Sequence, residues 1–64
     1  MGDSMLEFTE ALLNELKTLR QQTNQVILNG GVRDMEQYKF LMGRLEGYKF
    51  VEEAVQALLR RAEN

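Results

Sequence analysis

Along the first half of the chain, one set of positions steps alternately by four and three: Met5, Thr9, Leu12, Leu16, Leu19, Thr23 and Val26. That spacing returns a side chain to the same face of a helix and predicts a heptad seam held for about three repeats. Leu6, Leu13 and Ile27 widen the seam to one flank, as a helix in a bundle requires. Thr9 and Thr23 dilute it and are read as setting which layers meet, while Phe8 lies off it. Ser4 followed by Glu7 has the spacing of a capping box and marks a start. Asn29-Gly30-Gly31 marks the stop, because these residues accept the positive φ that ends a helix.

A second start follows at once, with Asp34 and Gln37 spaced as an Asp-x-x-Gln variant of the same box. So short a connection favours antiparallel neighbours. The chain is therefore expected to be one helical-hairpin domain over 1–64, with helix 1 at about 5–28, a turn at 29–33 and helix 2 at about 34–62.

The second helix is the less ordinary one. One seam runs through Tyr38, Leu41, Leu45, Tyr48, Val55, Leu59 and Ala62, with Glu52 as its charged member. A second runs through Phe40, Gly43, Gly47, Phe50, Ala54 and Ala57. Positions such as 41 and 43 differ by about 200° around an α-helix, so the two seams lie on nearly opposite sides. A surface helix needs only one apolar side. The Tyr38 seam is expected to pack on helix 1, giving an intra-hairpin core of Leu12, Leu16, Leu19, Val26, Leu41, Leu45, Tyr48, Val55 and Leu59.

The glycines bear on the other seam. Each costs about 0.8–1 kcal/mol relative to alanine inside a helix, a heavy penalty for so small a domain. Gly43 and Gly47, four residues apart, would let a second helix backbone come close, and Ala54 and Ala57 continue the small-residue face. Phe40, Gly43, Gly47, Phe50, Ala54 and Ala57 are thus the expected interface with another chain. Glu52 is read as sitting near the edge of its seam with Val51 taking its place inside; the alternative is a register-setting polar residue. The repeated Tyr-Lys-Phe, ten residues apart, is turned by about 80° between copies and makes no flat stacking platform. The polar run from Arg20 to Gln25 is read as a solvated face.

Composition narrows the function classes. Sixty-four residues support only a marginal core, and such chains usually add disulfides, a metal or self-association. The sequence has neither cysteine nor histidine, which removes disulfides, thiolate sites, the commonest metal ligand and the commonest general base. Carboxylates are scattered with no nucleophile–base pair, so no catalytic residue, no metal site and no cofactor is expected, and the chain is read as not an enzyme. A net charge of −2 argues against nucleic acid as a partner. No apolar run reaches the roughly 18–20 residues of a membrane span, and the first ten residues lack the layout of a secretory signal. The expected fold is all-α: an antiparallel two-helix hairpin that self-associates into a helical bundle, foremost a dimeric four-helix bundle.

The layout carried by Gly30, Gly31, Tyr38, Gly43, Leu45, Gly47 and Leu58 to Arg61 resembles small helical-hairpin proteins of tailed-bacteriophage structural gene modules. That resemblance implies a non-enzymatic accessory of virion assembly (a capsid, connector or portal-associated component). It further implies other phage structural proteins as partners and a location in the host cytoplasm or the particle. In architecture alone the chain also resembles small helical-hairpin plasmid regulators that pair into RNA-binding bundles. The acidic balance and the lack of a basic stripe count against that second reading. An adaptor that receives a helix from a different protein is the remaining alternative.

Overall fold

The turn shows most directly how the residues shape the chain. In a computed structural model, which describes the backbone of residues 2–63 and the side chains of residues 5–62, helix α1 spans Gly2–Leu28 and helix α2 spans Met35–Glu63. At the end of α1 the Gly31 amide donates to the Val26 carbonyl at 2.9 Å and the Gly30 amide to the Ile27 carbonyl at 3.3 Å. This crossed pair is a Schellman motif, and it needs a left-handed residue at its centre. Gly30 supplies it with φ of 75°. Gly31 is favoured for a different reason: a Cβ there would lie 3.0 Å from both Val26 Cγ1 and the Val26 carbonyl oxygen, a tight contact the turn would have to relieve.

Three residues later α2 is capped. Asp34 Oδ1 accepts from the Gln37 amide at 2.8 Å, and Gln37 Oε1 accepts from the Arg33 amide at 2.8 Å. The reciprocal bond thus reaches one residue before Asp34 rather than Asp34 itself. The box still closes two amides that the first turn leaves without helical partners. Glu36 in the first turn and Arg60 and Arg61 in the last suit the two ends of the α2 dipole.

At the other end, α1 is already helical at Gly2, three residues earlier than the pattern suggests. Ser4 therefore lies within the helix rather than at its boundary, and its side chain falls outside the described residues.

The two helices pack antiparallel along a body of 47 × 16 × 12 Å. Leu16 and Leu41 are the only buried apolar side chains among the described residues, and Leu41 is 6 % exposed. Around them Leu12, Leu19, Leu45, Tyr48, Val55 and Leu59 are half-buried. Thr23 is more enclosed than either leucine at 5 %, and its hydroxyl donates to the Leu19 carbonyl at 2.9 Å. The bond satisfies the hydroxyl without any partner on α2. Thr9 does the same with the Met5 carbonyl at 2.8 Å.

Val26 departs from its expected place in the core, being 42 % exposed. Val26 stands about 60° round α1 from Thr23, on the flank of the seam, where its Cγ1 lies beside Gly31 of the turn and it borders an open recess with Leu41 and Tyr48.

Glu52 also differs from its preferred reading. It faces α1, where Oε2 accepts from Arg20 Nη1 at 3.0 Å, while Val51 stands outside. The side chains of Arg20 and Glu52 are 36 % and 16 % exposed, so the pair is closed on the glutamate side.

Candidate interaction surface

Away from α1, helix α2 presents a face that the hairpin leaves uncovered. Phe40 is 61 % and Phe50 63 % exposed. A Cβ placed on Gly43 or Gly47 would meet nothing within 4 Å, so the hairpin itself requires glycine at neither position. Helix α2 nevertheless runs unbroken through both. The two glycines are a cost that contacts within one chain do not offset.

Of the six expected interface residues, the structure gathers three in one place. Phe40, Gly43 and Gly47 line an open apolar groove with Leu16, Lys39, Arg44, Tyr48 and Val51. The Arg44 guanidinium carbon lies 5.1 Å from the centre of the Phe40 ring, a cation–π contact that holds one wall. Phe50 and Ala54 are exposed but do not line this groove, and Ala57 is half-buried beyond it.

The pattern of the second helix alone did not reveal that α1 contributes to the same face. Phe8 and Leu12 of α1 line a second apolar recess with Val55, Leu58 and Leu59 of α2. Toward the turn, Leu19 and Val26 line a third with Leu41, Arg44 and Tyr48. At 100° per residue, Phe8, Leu12, Leu19 and Val26 fall within about 40° of one another on α1. Phe40, Gly47, Val51 and Leu58 do the same on α2. The three recesses are therefore stations along one continuous side of the hairpin. The signal for it was available, since 40, 44, 47, 51, 54 and 58 also step by four and three. It was masked because 40, 43, 47 and 50 do so equally well.

The other flank is differently made. There the Arg20–Glu52 pair ties the helices together, with Glu52 Oε1 enclosed and lacking any hydrogen-bond partner. An enclosed acceptor without a partner costs about 1–3 kcal/mol, which offsets much of what the pair contributes to stability. The amide side chains of Gln21, Gln22, Asn24 and Gln25 are exposed.

Among the described residues no group of three or more carboxylates is placed to hold a metal ion. No described helix is long and apolar enough to cross a membrane. No protein-family model, curated protein or solved structure matches the chain. What the molecule offers chemically is a surface: apolar, grooved and floored by two glycines.

Proposed function

We propose that the protein is a non-enzymatic structural and interaction component that works as a self-associated helical bundle, with two hairpins forming a four-helix dimer. The observation that carries this reading is how little the hairpin buries by itself. It exposes 5333 Å², whereas a compact folded chain of this size exposes about 4,200 Å². The excess, about 1,100 Å², is of the order that one partner contributes to a standard interface, about 800 Å². Part of it lies where Phe8, Phe40, Val51 and Leu58 stand exposed along the grooved side. Contiguous apolar patches of that kind mark interaction sites on soluble chains.

The setting comes from the resemblance carried by Gly30, Gly31, Tyr38, Gly43, Leu45, Gly47 and Leu58 to Arg61: an accessory of virion assembly in a tailed phage, meeting other structural proteins. Mass spectrometry of purified particles tests the setting. The protein is expected at a fixed stoichiometry to the major structural proteins in particles or in assembly intermediates. Its absence from both would overturn the assembly role. Salt-dependent retention of RNA by the purified protein would point to regulation instead.

A further inference from the structure

The grooved face has an internal symmetry that specifies how a second copy sits on it. On α2, Phe40 and Leu58 are equidistant in sequence from Lys49, as are Arg44 and Ala54, and Gly47 and Val51. An antiparallel α2 of a second copy, centred at the same residue, would set each member of a pair opposite the other. Large then meets small in two of the three pairs, Val51 over Gly47 and the Arg44 stem along Ala54, while Phe40 meets Leu58 toward the ends. On α1, Leu12 and Leu19, and Met5 and Val26, are equidistant from the middle of the Glu15–Leu16 step. Leu16 lines the central groove with Gly47, Tyr48 and Val51, so the midpoints of both helices stand at the same height. A single two-fold axis across the hairpin serves both helices.

The charges at the ends of α2 are compatible with the same arrangement. The first turn of α2 carries Glu36 and its last turn Arg60 and Arg61. Antiparallel α2 helices place the acidic turn of each copy beside the basic turn of the other.

We infer that the occupant of the glycine groove is a second copy of this chain, docked antiparallel about a two-fold axis at the level of Lys49, α2 against α2 and α1 against α1. The inference rests on the self-association proposed above and adds its geometry.

The chain has no cysteine, so a single spin label can be placed by Met35→Cys. Met35 is exposed and stands well round the helix from the groove stripe. The antiparallel dimer puts the two labels 28 residue steps apart along the axis, about 42 Å at 1.5 Å per residue. A dimer with its axis along the helices puts them at one level, separated by about 10–20 Å across the bundle. Double electron–electron resonance is measured on labelled protein whose mass is determined in parallel by light scattering. A single distance near 40 Å in a dimer sustains the inference. A dimer with a distance below about 25 Å overturns the antiparallel geometry and leaves self-association standing. A monomer with no dipolar signal overturns both, and a Glu36→Cys label, expected about 39 Å from its copy, guards against a local effect at position 35.

Discussion

Helix α2 carries two apolar faces built with the same period, and they meet opposite fates. The face holding Leu41, Leu45, Tyr48, Val55 and Leu59 lies against α1, and Leu41 is buried. The face holding Phe40, Gly43, Gly47 and Val51 shares its groove with Leu16 of α1 but is not covered by that helix, and its glycines have open space where side chains would be. Periodicity reports that a face is apolar. It does not say whether the chain has anything to cover it with. Among the described residues α1 is the one helix packed on α2, so the second apolar face is the one left open for the self-association proposed above.

The comparison can be broken most forcefully from the inner side. Leu41→Ala removes one of the two buried apolar side chains among the described residues and should cost about 2–4 kcal/mol. In so small a domain that loss abolishes cooperative unfolding, which a far-ultraviolet circular dichroism melt would register as a broad, sloping transition.

The outer face should respond with the opposite sign in two measurements. Gly43→Ala with Gly47→Ala raises helix propensity by about 0.8–1 kcal/mol per site, and nothing in the hairpin is crowded by the new methyls. Helicity under dissociating, dilute conditions should rise, while the dimer dissociation constant should weaken by about tenfold or more as the backbones are held apart. If both quantities improve together, the glycines are not an interface feature.

Between the faces lies the ion pair. Arg20→Ala strands the enclosed Glu52 carboxylate and should destabilise by about 1–2 kcal/mol, tempered because Arg20 is itself over a third exposed. Glu52→Leu removes the unpartnered oxygen as well and should cost less, or stabilise, in chemical denaturation. Equal losses for the two variants would show that the pair contributes stability rather than register.

The smallest expected effect is at the turn. Asp34→Ala deletes the cap on the Gln37 amide and should lower stability by about 1 kcal/mol without altering association. Analytical sedimentation of that variant should match the parent.

The local features were largely legible beforehand because each depends on neighbours in sequence. A left-handed glycine after α1 and an Asp-x-x-Gln start for α2 are short-range chemistry, and the structure places Gly30, Asp34 and Gln37 in those roles. The antiparallel pairing followed from the short connection. What escaped depends on how α1 and α2 are rotated about their own axes. A heptad pattern fixes that rotation only to within the width of a stripe, so Val26 and Glu52 came out on the wrong sides of the boundary. The share of the grooved side that α1 contributes, Leu16 in the groove and Phe8 and Leu12 in the neighbouring recess, was hidden for the same reason, since it becomes visible only once both helices are set side by side.

The central claim is that the uncovered face of α2 is where a second copy binds. Sedimentation equilibrium of the unmodified protein and of Gly47→Leu at micromolar concentration tests it most directly. A dimer for the parent and a folded monomer, or an association weakened at least a hundredfold, for Gly47→Leu is the result this account predicts. A monomeric parent, or a variant that dimerises as tightly as the parent, would contradict it.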